Sequence, residues 1–155
     1  MDYLRGAACV LCHRYSMTRG MSGMIEGSLP IGGLSSSAAV VLCYVMALAG
    51  ANGISLSEAE LIDIVLAAET EYVGVSIGKL DQSCEVYCRK GQLLYLDTKD
   101  DTYRMIQAPE QMPDYEIAVF YSGVSRNLMG SAFNMRVDEA KSAAYALKAL
   151  EGIPY

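Results

Sequence analysis

Apolar residues recur along this chain at two kinds of spacing, and each predicts its own kind of element. From Tyr3 to about Tyr15, Leu4, Ala8, Leu11 and Tyr15 return every three or four residues, which predicts an amphipathic helix. From Ser36 or Ser37 to about Leu48 the apolar run is almost unbroken, which predicts a buried helix closed by the Gly50 to Gly53 stretch. Ser57-Glu58-Ala59-Glu60 has the form of a capping box. After it, Leu61, Ile64, Val65, Ala68 and Tyr72 continue one helical face until Gly74 stops it. A last helix is expected over Asn134 to Leu150, with Val137, Ala140, Ala144, Leu147 and Leu150 on one face and Gly152 and Pro154 at its end.

Shorter stretches read as strands. Gln92 to Asp97 and Tyr103 to Ala108 are joined by a Lys99-Asp100-Asp101 turn, and Glu116 to Tyr121 follows the linker Pro109 to Asp114. Gly20 to Glu26 is expected to turn and enter a short strand leading to Leu29–Ala39. Asp81-Gln82 belongs to a segment that ends near Cys88. No internal repeat or low-complexity tract is present, and helices and strands mix without regular βαβ alternation, so the expected class is α+β.

Composition narrows the function. With 52% hydrophobic and 19% charged residues the chain is globular, not disordered. A formal charge of −6 without clustered Lys and Arg argues against nucleic acid as a partner. No stretch approaches the roughly 20 apolar residues of a membrane span and no export signal is evident, so a cytoplasmic protein away from membranes is expected. The 5 cysteines then read as reduced thiols. Cys9-Val10-Leu11-Cys12-His13 has the spacing of c-type haem attachment, and Cys9, Cys12, Cys84 and Cys88 form two close pairs that zinc would accept. Both pairs also have within-helix spacing, and small buried residues are the favoured reading. The single histidine, His13, and the absence of a Gly-x-Ser-x-Gly elbow leave a serine hydrolase without its parts.

The candidate chemistry begins at Leu29-Pro30-Ile31-Gly32-Gly33-Leu34-Ser35-Ser36-Ser37-Ala38-Ala39. Glycines allow close backbone approach, and the first amides of the following helix have no intrahelical partner, so an anion, most simply a phosphate, suits this loop. A serine-capped helix is the plain alternative. Glu69, near the end of a helix, and Asp81, in a Gly-x-x-Asp-Gln loop, add two carboxylates. Phosphoryl transfer uses such parts: backbone donors for phosphates, one or two oxygens for magnesium, and a carboxylate for the attacking hydroxyl.

On these residues the chain resembles small-molecule kinases of the GHMP superfamily, whose phosphate loop Pro-x-Gly-x-Gly-Leu-x-Ser-Ser-Ala is matched by Pro30 to Ala38. Ala68-Glu69, Gly74, Gly78-Lys79-Leu80-Asp81-Gln82, Gly91 to Asp97 and Asn134-Met135-Arg136-Val137-Asp138-Glu139 resemble the sugar-kinase branch. Ile77 to Ser83, Ile106 to Glu110 and Tyr121-Ser122-Gly123 are closer to galacturonate kinases than to galactokinases proper. The resemblance implies a GHMP-kinase-like α+β fold with part of a ribosomal protein S5 domain 2-like N-terminal domain over 1–113, and the start of a second α+β domain over 114–155. It implies ATP and Mg2+ as cofactors and phosphorylation of the C1 hydroxyl of a sugar or sugar acid. Gly32, Gly33, Leu34, Ser35, Ser36 and Ser37 would wrap the nucleotide phosphates, Ser36 and Glu69 would hold magnesium, and Asp81 would be the catalytic base or electrostatic partner.

Departures from the family pattern carry their own expectations. The glycine loop is one residue shorter, Lys79 precedes the Asp where an apolar residue is common, and Phe133 replaces a sugar-contacting Tyr. Lys79 and Arg126 are the candidate cations for a substrate carboxylate. The family's first motif, Arg-x-Asn-Leu-x-Gly-Glu-His, and its glycine-rich third motif do not occur, so the 155 residues are expected to be an incomplete, inactive piece that exposes apolar surface and self-associates. The second reading is a galactokinase-like binding or sensor protein without catalysis.

Overall fold

The computed structural model describes residues 2–27, 34–120, 123 and 132–153. Helices α1 (Asp2–Arg14), α2 (Ser36–Ala51) and α3 (Glu58–Ala67) come first. A π-helical turn (Ala68–Val73) extends α3, then α4 (Leu80–Tyr87), strands β1 (Gln92–Asp97) and β2 (Thr102–Gln107), and α5 (Phe133–Leu150) follow. The α+β class expected from the sequence holds, with the helices making the core.

That core lies among α1, α2 and α3 and consists of Ala7, Val10, Leu11, Ala38, Val41, Val45, Leu48, Ile64, Val65, Ala67 and Ala68. Each larger apolar side chain buried there contributes about 1.5–3 kcal/mol of transfer free energy. The buried stripe of α1 is rotated from the predicted one. Leu4, Ala8 and Tyr15 pack at its margin, while Ala7, Val10 and Leu11 fill its centre. Gly6 lets α1 approach the helix opposite, since a Cβ there would stand 3.0 Å from Ala68 O and 3.3 Å from the Tyr72 ring. Helix α2 is not buried all round as its composition implied: Cys43 and Met46 face outward.

Polar contacts fix the helix ends. Ser57 caps α3 in a full capping box: Glu60 N–H donates to Ser57 Oγ at 3.3 Å, and Ser57 N–H donates to Glu60 Oε2 at 2.8 Å. Tyr15 Oη donates to Glu60 Oε1 at 3.0 Å, joining the end of α1 to the start of α3. Asn52, just past α2, accepts from Thr18 N–H and Arg19 N–H, both at 2.8 Å, and holds that segment against the helix.

Strands β1 and β2 form an antiparallel hairpin in the register Gln92↔Gln107 to Asp97↔Thr102, with Asp101 at φ 56° in the expected turn. Tyr87 of α4 stacks on Tyr103 of β2 at 3.9 Å between ring centroids. Two predicted strands do not form among the described residues. Residues 20–26 and 116–120 carry no regular structure, and Met24 (87%) and Phe120 (88%) are almost fully exposed. A strand needs a neighbouring edge for its N–H and C=O groups, and neither segment lies beside one among the described residues. Residue 121 lies outside them.

Cys9 and Cys12 lie on α1, Cys84 on α4 and Cys88 at its end. All are free thiols, half-buried or exposed instead of buried, and no group of three metal-ligating side chains occurs among the described residues. Cys9 Sγ instead lies 3.7 Å from His13 Nδ1 one turn along the same helix. No helix of the described residues is long and apolar enough to cross a membrane.

Candidate active site

The site is assembled where the N-terminus of α2 meets the π-helical turn and α4. Ser35 precedes α2 in a left-handed conformation, φ 54°, and its side chain makes no capping hydrogen bond. A non-glycine residue held there carries backbone strain, and without a side-chain cap the first amides of the helix stay available to an anion. The capped-helix alternative for Ser35 therefore does not apply. Gly32 and Gly33 lie outside the described residues. Leu34, Ser35, Ser36 and Ser37 form the described part of the loop.

The π-helical turn brings Glu69 inward. Thr70 Oγ1 donates to Leu66 O at 2.8 Å and occupies a carbonyl of the preceding turn, and Gly74, at φ 83°, closes the segment. Glu69 is 1% exposed, and so is Gln82, whose Nε2 donates to Glu69 Oε2 at 2.6 Å. A buried carboxylate is tolerated only with such partners. Burial raises the pKa of Glu69 above the ordinary carboxylate value, while hydrogen bonds from Ser37 and Gln82 oppose the rise. Ser37 is the serine at the helix start that hydrogen-bonds Glu69, one position beyond Ser36, which the sequence paired with Glu69 as magnesium ligands. Tyr3 of α1 reaches the same place: burial and the charge of Glu69 raise its pKa, and a hydrogen bond with Ser37 lowers it.

Asp81 stands in the first turn of α4, next in sequence to Gln82 and close enough to Glu69 for its charge to raise the Glu69 pKa. Glu85, one turn further along α4, faces both carboxylates. Burial, then Asp81 and Glu69, push its pKa up to about 7, partly offset by the Ala39 N–H in the first turn of α2. Sequence reasoning missed Glu85 and gave Gln82 no role. The four-residue spacing from Asp81 was the signal for the first, because it puts Glu85 on the face of α4 that carries Asp81.

A second wall lies between α5 and the 74–78 loop. They flank an open cavity of about 640 Å3 whose lining includes Thr70, Ser76, Gly78, Phe133, Val137 and Lys141. Phe133 was the predicted substrate contact on α5, and it lines this cavity. Lys79 does not: its ammonium pairs with Asp101 in the β1–β2 turn. Arg126 lies outside the described residues.

The sequence profile described as the GHMP kinases N terminal domain matches residues 2–89. The chain belongs to the GHMP kinase family. It is 37% identical over 150 residues to a galactokinase of Thermococcus kodakarensis, covering 96% of this chain and 41% of that protein. It is 36% identical over 154 residues to a galacturonokinase of Arabidopsis thaliana, covering 97% and 36%. Its fold matches that of Lactococcus lactis galactokinase, crystallised with galactose, at a TM-score of 0.84 and 26% identity over 96% of this chain and 38% of that one. The chain thus spans about two-fifths of the length of these relatives.

Proposed function

We propose that this chain carries the phosphate-binding and catalytic-carboxylate part of an ATP-dependent kinase that phosphorylates the C1 hydroxyl of galactose or galacturonate. The observation that supports this most is one cluster: buried Glu69, held by Ser37 and Gln82, beside Asp81 and the uncapped N-terminus of α2. The relatives named galactokinase and galacturonokinase give the substrate class.

In this reading the amides that open α2, with Leu34, Ser35, Ser36 and Ser37 and the preceding Gly32 and Gly33, hold the nucleotide phosphates, aided by the positive end of the helix dipole. Glu69 and the serine hydroxyls at the helix start, Ser36 with Ser37, suit magnesium, which needs one or two protein oxygens in a nucleotide site. Magnesium there would neutralise charge on the transferred phosphoryl group. Asp81 orients the sugar hydroxyl and accepts its proton as the oxygen attacks. Gln82 keeps Glu69 in place from the neighbouring position. Phe133 offers an apolar face to the sugar ring, and residues 114–155 open a second domain whose helix α5 supplies that face.

The protein made from its complete gene is expected to convert ATP and one of the two sugars to ADP and the sugar 1-phosphate. ATP and magnesium binding without phosphorylation of either sugar would favour the binding or sensor protein and overturn the reading.

A further inference from the structure

Helix α5 has no buried residue, yet its first turn is fastened to the loop between Glu69 and Asp81. Asn134, in its first turn, accepts a hydrogen bond from Ser76 N–H at Oδ1 (2.9 Å) and donates from Nδ2 to Gly74 O (3.0 Å). One carboxamide therefore satisfies both a donor and an acceptor of the loop backbone, as a paired strand would. Gly74 is where the π-helical turn carrying Glu69 ends, and Ser76 stands five residues before Asp81. Val75 N–H donates back to Glu69 O at 3.1 Å, so the loop held by Asn134 is itself tied to the Glu69 backbone. Ser76 and Gly78 on the loop and Phe133 and Val137 on α5 line the two sides of the 640 Å3 cavity.

We propose that Asn134 is a positioning residue of the sugar site, whose two hydrogen bonds set the separation of the cavity walls and the approach of the loop to Asp81. It rests on the kinase reading above. The role is selective. The described phosphate-binding residues lie just before α2 and in its first turn, and the hydrogen bonds of Asn134 go to Gly74 and Ser76 instead, so loss of the amide is expected to loosen the grip on sugar and leave the grip on nucleotide intact.

The experiment uses the protein made from its complete gene, with Asn134→Leu, which removes both hydrogen bonds at similar volume, and Asn134→Asp, which keeps the acceptor for Ser76. Losing a half-buried hydrogen bond to the loop backbone leads us to expect KM for the sugar to rise about tenfold or more in Asn134→Leu and by less in Asn134→Asp. ATP affinity should stay within about twofold of wild type, since the hydrogen bonds lost go to Gly74 and Ser76. Amide hydrogen exchange should show Ser76 losing protection in the Leu variant and keeping most of it in the Asp variant. An active wild type with unchanged sugar KM in Asn134→Leu, or an equal loss of ATP and sugar affinity, overturns the positioning role alone. A wild type that phosphorylates no sugar overturns the kinase reading and the positioning role with it. Persistent Ser76 protection in Asn134→Leu overturns the clamp directly.

Discussion

Glu85 is the residue whose ionisation costs most at this site. Its Oε2 is buried without a hydrogen-bond partner among the described residues, and Asp81 on its own helix and Glu69 on the π-helical turn face it. The Ala39 N–H is the favourable contact opposing them. With its pKa at about 7 in the fold and near 4.5 in the open chain, the folded state holds a proton that the unfolded state has already lost over that interval. Stability attributable to Glu85 is therefore lost as pH rises from about 4.5 through about 7, and below that window the group makes no difference. Thermal unfolding of wild type and Glu85→Gln between pH 5 and pH 8 checks this. The variant is expected to gain on wild type as pH rises, and parallel curves would contradict the assignment. The same residue shows what single-residue reading misses. Glu69 and Asp81 stood out in the sequence through their motifs, whereas the significance of Glu85 comes from three elements meeting around it.

At the scale of elements, helices were legible and isolated strands were not. The capping box at Ser57 and the periodic faces of α1 and α3 report local energetics, and local energetics start and stop a helix. The 20–26 and 116–120 segments have strand-like patterns, but a strand is completed by a partner, and the pattern does not say whether one is adjacent. The pairing of Lys79 with Asp101 was illegible for a related reason, since it depends on where the hairpin folds back. Packing between helices gives a sharper test. A side chain at Gly6 meets Ala68 O and the Tyr72 ring, whereas one at Gly50, on the outer side of α2, meets nothing within 4 Å. Gly6→Val is expected to destabilise by about 1–3 kcal/mol through overpacking. Gly50→Ala is expected to stabilise by roughly 0.5–1 kcal/mol through backbone entropy. Urea unfolding midpoints measure both, and a tolerated Gly6→Val would mean that α1 does not press on the π-helical turn.

For the whole molecule, three helices build a core, and the functional groups gather on its rim where α2 begins and α4 begins. The family motifs in the sequence singled out residues that meet there: Ser37 of the serine loop, Glu69, Asp81 and Gln82. They did not reveal which serine touches Glu69, because Ser36 and Ser37 differ by about 100° around the helix axis, a difference only the packing of α2 resolves. Nor did they reveal that the Asn134 carboxamide ties α5 to the 74–78 loop. In the proposed function this rim transfers a phosphoryl group, with Asp81 acting on the sugar hydroxyl. The most direct test is Asp81→Asn in the protein made from its complete gene, with kcat and ATP affinity measured together. A fall in kcat of about 100- to 10,000-fold is expected, the range for loss of a general base, with ATP affinity unchanged. Retention of wild-type kcat in Asp81→Asn would contradict that role.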